Sequence, residues 1–199
     1  THSHIHFAKE FPDVEEILAR AQAANVTHQI IVGCTVQDSF EALAFVKKHN
    51  DYNLRSTLGV HPHHANEWSN EIREKFKAAI ESEKKIVAIG EIGMDYFRNL
   101  QPHDIQASAF EGQLLLAKEL DLPVVVHVRD AWDDALKILK DVGNTKVVIH
   151  CFTGFMQHAK ICWERKYLTS FSGVVTYTKN DYLREVARYA PAALMLIET

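Results

Sequence analysis

What most constrains the fold of this chain is the alternation of two hydrophobic periods along it. Short apolar runs lie at Gln29–Gly33, Leu54–Val60, Ile86–Ile92, Pro123–Val128, Lys146–Ile149, Leu168–Val175 and Ala193–Ile197, each too short for a helix and several rich in Val or Ile. Between them the pattern turns helical, with Val14, Ile17, Leu18 and Ala21 on one face of Val14–Ala24, and Phe110, Gln113, Leu114 and Ala117 on one face of Phe110–Leu120. Strands alternating with helices demand a parallel sheet with right-handed crossovers, either closed or open. Counting a strand contributed by the segment before Thr1 gives eight. The expected fold class is therefore α/β, a parallel (β/α)8 TIM-like barrel clipped at both ends, with 1–199 as a single domain. The 199 residues stand at the short limit of an architecture that usually takes about 250.

Composition excludes several classes. No run of about 18 apolar residues is present, and residues 1–25 carry neither a signal-peptide core nor an Arg-rich amphipathic leader, so a cytoplasmic protein without a membrane partner is expected. Cys34, Cys151 and Cys162 are an odd set without C-x-x-C spacing, which argues against a disulfide framework or a zinc ribbon. A net charge of −4 and a pI near 6.3 provide no extended cationic surface for holding duplex DNA by counterion release.

Polar residues recur at the C-terminal ends of the apolar runs. His2 and His4 form an H-x-H whose two side chains share a face in an extended segment, Glu91 follows Ile86–Gly90, His127 follows Val124–Val126, and His150 follows Val147–Ile149. A lone histidine at a strand end is usually a hydrogen-bonded structural residue, and a lone glutamate there pairs with a base. In a parallel barrel, however, all these ends meet at one rim. Four imidazoles and a carboxylate gathered there carry a large desolvation cost that a divalent cation removes, so His2, His4, Glu91, His127 and His150 are the expected metal ligands. Glu91 has two oxygens and can bridge a pair of ions, with His2 and His4 on one and His127 and His150 on the other. Two divalent metal ions are expected, Mg, Zn or Mn, about 3.5–4 Å apart, to activate a water and stabilise a phosphoryl transfer.

Several longer motifs carry a resemblance. T-H-S-H at Thr1–His4, G-V-H-P-H at Gly59–His63, A-I-G-E-I-G-M-D-Y at Ala88–Tyr96, L-P-V-V-V-H-V-R-D-A at Leu122–Ala131, H-C-F-T-G at His150–Gly154, S-G-V-V-T-Y at Ser172–Tyr177 and I-E-T at Ile197–Thr199 resemble the successive motifs of the TatD-type deoxyribonucleases, in family order from first residue to last. The resemblance implies an amidohydrolase-like barrel and a metal-dependent deoxyribonuclease, typically a 3′–5′ exonuclease on single-stranded DNA. The family pattern places an Asp before T-H-x-H, and an Asp after E-T that binds the first metal and acts as general base; the sequence runs from Thr1 to Thr199. Two other readings follow: a metal-dependent hydrolase of an aminoacyl-tRNA ester or amide, and a non-catalytic barrel lacking the terminal Asp.

Supporting roles are assigned by position. His61 and His63 share a face by the period of two and are expected to hold a substrate phosphate; the competing reading is that Pro62 ends the strand and the pair only shapes a loop. Arg129 follows His127 by two and is expected to fork onto a phosphate, against a salt bridge to Asp130 or Asp95. Asp95 is expected to orient a ligand histidine from behind, against an ordinary helix cap, and to open a long polar loop through Arg98–Gln106. His64 has the wrong parity, Cys151 is expected to face away from the site, and His6, His28, His49, His103 and His158 are read as surface or loop residues. Trp132 and Trp163 read as helix packing residues.

Overall fold

The computed structural model describes residues 1–144 and 146–198; Thr199, which ends the I-E-T motif, lies outside the described residues. Among the described residues seven parallel strands run in sequence order through one sheet: β1 (His28–Ile31), β2 (Asn53–Leu58), β3 (Ile86–Asp95), β4 (Val124–Arg129), β5 (Val147–Ile149), β6 (Leu168–Phe171) and β7 (Met195–Ile197). Helix α1 (Val14–Ala23) precedes β1, and α2 (Val36–Lys48), α3 (Asn70–Ser82), α4 (His103–Glu119), α5 (Trp132–Val142), α6 (Met156–Glu164) and α7 (Asp181–Tyr189) lie between successive strands. The segment Thr1–His4 fills the remaining position between the outer strands. Ser3 makes a parallel bridge to Ile31 of β1, and the Thr1 hydroxyl donates to the Ile197 carbonyl of β7 at 3.2 Å. The architecture is the parallel barrel expected. No helix among the described residues is long and apolar enough to cross a membrane.

The helices face the sheet as their spacing dictates. In α5 the buried residues Trp132, Ala135, Leu136, Leu139 and Val142 make one stripe, and Gly143 stops the helix in the left-handed region at φ 79°. Thr35 and Ser69 cap α2 and α3 by accepting the Asp38 and Ile72 amides. The main core joins Ile89, Ile92, Met94, Val124, Val126 and Ile149 of the central strands to Phe110 and Leu114 of α4. A second cluster, around Leu18, Ile31, Val46 and Leu54, holds α1 and α2 to β1 and β2.

Three expectations are corrected. The run Leu168–Val175 is strand only to Phe171; the Ser172 hydroxyl accepts the Val174 amide and turns Gly173–Thr176 into a 3-10 helix. The strand expected to end at Ile92 continues to Asp95, so Glu91 lies inside β3, where the register with β4 shifts between Ile89 and Ile92. The polar stretch Arg98–Gln106 is a shorter loop than expected, because α4 begins at His103.

Two devices place strand ends at the rim. Gln106 and Gln113 are buried on α4. The Gln106 amide accepts the Asp95 N–H at 2.8 Å and donates to its carbonyl at 3.2 Å, while Gln113 does the same for Val60 at 2.7 and 3.0 Å. Both satisfy backbone groups that would otherwise be buried without partners. Gly93, at φ 140°, faces His127 across β3 and β4, and a Cβ there would overlap the His127 carbonyl oxygen. Gly93→Ala is expected to destabilise the fold by about 2–4 kcal/mol; denaturant unfolding measures it, and wild-type stability would mean that the strands do not need this approach.

Candidate metal centre

Glu91 is the centre of the site. Its side chain is buried, 4% exposed as a residue, and its amide donates to the Gly33 carbonyl at 2.9 Å, which ties β3 to the loop after β1. Its two oxygens face different imidazoles. Oε2 lies 3.3 Å from His2 Nε2 and 4.0 Å from His4 Nε2. Oε1 lies 2.9 Å from His150 Nε2, 3.1 Å from His127 Nδ1 and 3.4 Å from His61 Nε2. The five predicted ligands therefore meet, and His61 joins them at comparable range.

A second layer fixes the rings. Asp95 Oδ2 receives His127 Nε2 at 3.1 Å and His63 Nε2 at 2.9 Å, while its Oδ1 accepts the Arg98 amide at 2.7 Å. Asp95 thus sits behind a candidate ligand histidine, and Pro102, not Asp95, precedes α4. His4 Nδ1 donates to the Val32 carbonyl at 3.0 Å, so its Nε2 carries the lone pair that points toward Glu91. Glu198 Oε1 meets His150 Nδ1 at 3.1 Å. Sequence reasoning quoted Glu198 within I-E-T without giving it a role; the signal was its position at the end of the last strand, the same rule that found Glu91 and His150.

Electrostatics follow from this packing. Burial would push the Glu91 carboxyl up, but the charges of His150 and His61 and the His127 and His150 hydrogen bonds hold it well below the usual range. Burial works against a charged His150, yet Glu91 and Glu198 on either side push it up to about 10. His127 is raised in the same way, burial being outweighed by Asp95 and Glu91. Burial, reinforced by the charge of His2, brings His4 down to about 4 against the pull of Glu91. His61 is lowered by burial despite Glu91.

The donor set suits divalent cations. The Nε2 atoms of His2 and His4 approach each other to 3.1 Å, and among the described residues three groups each bring one donor atom per residue within 4.8 Å: His2, His4 and Glu91; His61, Glu91 and His127; His2, His150 and Glu198. The first is the predicted group. The others differ from the expected pairing of His127 with His150 on one ion, because His61 and Glu198 also enter.

The remaining assignments divide. His61 and His63 reach the site, but not by strand parity: β2 ends at Leu58, and His61 is the extended residue before a 3-10 helix that starts at Pro62. Arg129 closes β4 with its guanidinium 3.7 Å over the Phe97 ring, while Asp95 is taken up by the two histidines. Cys151 does not face away: β5 has ended at Ile149, and at φ 42° Cys151 turns toward the site cavity and meets Ser172 Oγ at 3.0 Å. Cys34 was also missed; its Sγ lies 3.6 Å from Glu91 Oε2, and burial first, then Glu91, pushes the thiol well up, so it stays a donor. His6, His49 and His158 are not surface residues: His6 meets Asp38 at 2.7 Å with its side chain 1% exposed, His49 is buried with its ring 3.2 Å from Glu15, and His158 is buried and accepts the Phe155 amide.

A cavity of about 610 Å³ opens from His4, Glu91, His127 and His150 to the surface. Matching of the sequence against known families finds TatD related DNase over residues 1–199. The chain belongs to the TatD-related DNase family. It is 35% identical over 201 residues to the uncharacterized metal-dependent hydrolase YabD of Bacillus subtilis, covering 100% of this chain and 78% of that protein. It is 41% identical over 199 residues to the 3′-5′ ssDNA/RNA exonuclease TatD of a Pantoea species, covering 97% and 74%. The crystal structure of YJJV, a TatD homologue from Escherichia coli, superposes with a TM-score of 0.91 at 32% identity, covering 100% of this chain and 77% of that one. Like its relatives in this TatD family, the chain is a hydrolase.

Two outcomes test the centre. His150 is protonated below about 10 in the ion-free protein, so its folded value lies above the ordinary 6.5; that stabilisation is complete below pH 6.5 and is lost as pH rises through about 10. A cation needs the neutral ring. Loading with Zn²⁺ or Mn²⁺ at pH 7 is therefore expected to release about one proton or more per site, measured by calorimetry in buffers of different ionisation enthalpy; buffer-independent heats would remove His150 and His127 as ligands. Asp95→Asn is expected to weaken metal affinity about 10–100-fold, and an unchanged affinity would reduce Asp95 to a loop residue.

Proposed function

We propose that this chain is a 3′–5′ exonuclease that hydrolyses the terminal phosphodiester bonds of single-stranded DNA with two divalent cations that His2, His4, Glu91, His127 and His150 would hold. The observation that carries this reading is the division of imidazoles between the two oxygens of one buried carboxylate, His2 and His4 on Oε2, and His127 and His150 nearest Oε1. When bound, such ions supply Lewis acidity toward phosphoryl oxygens and lower the pKa of a coordinated water. The name of the Pantoea relative, 3′-5′ ssDNA/RNA exonuclease, agrees with it.

The chain's own groups have distinct parts. Glu91 balances the cations and keeps the two imidazole sets in register. Asp95 and Glu198 hold the His127 and His150 rings from behind, accepting the proton of the nitrogen that does not face Glu91. Arg129 receives non-bridging oxygens of the substrate phosphate from the cavity wall, while His61 turns Nε2 to Glu91 and His63 turns Nε2 to Asp95. A buried rim suits a flexible strand end, which reaches it without bending a duplex. With a net charge of −4 the protein gains little from neutralising many phosphates, so a shallow salt dependence belongs to this reading.

An end-labelled single strand, a blunt duplex and a closed circle, given in parallel, test it. Mononucleotides are expected from the single strand alone, with full loss on adding a chelator. Nicking of the closed circle, or activity that survives chelation, would overturn the proposal. Glu91→Gln is expected to cost at least about 100-fold in turnover while leaving the far-ultraviolet circular dichroism spectrum as it was; near-normal turnover would remove Glu91 from the mechanism.

A further inference from the structure

The cavity that opens from Glu91 has an aromatic outer wall. Phe97, in the loop after β3, is 59% exposed, and Tyr177, after the turn that follows β6, is 64% exposed. Both line the same cavity as His127 and His150. Large rings left in water at the mouth of a buried polar site gain nothing for the core, and each retains a free π-face.

Neither ring hangs on a loose segment. Arg129 lies over Phe97 with its guanidinium carbon 3.7 Å from the ring centroid, which uses the face of the cation and not its N–H edge. The stretch carrying Tyr177 is held from α7: Arg184 donates to the carbonyls of Val175, Tyr177 and Thr178 at 3.0, 2.7 and 3.1 Å. Phe97 and Arg129 come from neighbouring strands, and Tyr177 comes from a segment three strands along the sheet from β3. The rings therefore enter the cavity from separate sectors of the rim.

We propose that Phe97 and Tyr177 are stacking walls for the nucleobases at the end of a single strand, with Arg129, braced on Phe97, at the phosphate between them. The inference rests on the exonuclease reading and names what that site grips. Base stacking tolerates any sequence because every base has a π-face. It also supplies affinity that a chain of net charge −4 does not draw from phosphate contacts. A duplex end presents its bases already stacked and paired, so the same walls favour single strands.

The test uses metal-loaded protein and strands with phosphorothioate linkages at the 3′ end, one carrying 2-aminopurine as the last base and one abasic at the last two positions. Binding is expected to quench the 2-aminopurine emission, and the abasic strand is expected to bind about 10-fold more weakly. Phe97→Leu and Tyr177→Leu remove the ring while leaving an apolar side chain; each should lose most of the quenching and most of the preference for bases, while Phe97→Tyr keeps both. Quenching and base preference in the double variant equal to wild type would overturn the proposal. The two readings fail separately. A strand that is bound and quenched but never cleaved, once natural linkages are restored, keeps the walls and removes the exonuclease. Cleavage with equal efficiency on base-bearing and abasic ends keeps the exonuclease and removes the walls.

Discussion

The structure turns on a carboxylate charge buried inside a β-strand. Glu91 sits in β3 with almost no exposure, and an isolated carboxylate there would protonate rather than remain charged. The charges of His150 and His61 and the hydrogen bonds of His127 and His150 prevent that, and four of the five imidazoles in the cluster lie within 3.4 Å of one or other oxygen. The imidazoles come from four parts of the rim, His2 and His4 from the first segment, His61 from beyond β2, His127 from β4 and His150 from beyond β5, so the charge is tolerated only when the barrel has brought those parts together. Folding and site assembly are the same event.

The consequences reach outward in layers. The other nitrogens of His4, His127 and His150 are satisfied by the Val32 carbonyl, Asp95 and Glu198, each at or just beyond a strand end. Asp95 in turn depends on Gln106 of α4 for its backbone and on the approach of β3 to β4 that Gly93 permits. Helix α4 therefore serves the site through the backbone of Asp95 and Val60. The opposing pKa shifts follow from the same layout: rings between two carboxylates are raised, and rings buried beside other rings are lowered. A cation would relieve both, because it needs the imidazoles neutral and the carboxylates charged.

Beyond that polar centre the chemistry changes character. The cavity passes from imidazoles to Arg129, Phe97 and Tyr177, from groups that hold charge to groups that hold flat surfaces. The gradient matches a ligand whose reacting part is anionic and whose remaining parts are aromatic.

The order of the strands, the parallel barrel and the inner ring of His2, His4, Glu91, His127 and His150 were legible in the residues, because buried parallel strands write continuous apolar runs and their ends share one rim. Parity served only while a strand lasted. It placed His2 with His4, and it misplaced Cys151, since β5 stops two residues earlier and a positive φ turns the side chain. Val174 and Val175 look like strand residues, yet a hydroxyl from Ser172 makes them a turn. The approach of Cys34 to Glu91, the direct seat of His61 beside Glu91 Oε1 and the seat of Arg129 on Phe97 were decided by tertiary structure alone. The physical reason is that these contacts join side chains far apart in sequence, where no period along the chain constrains distance, and only closure of the barrel sets it.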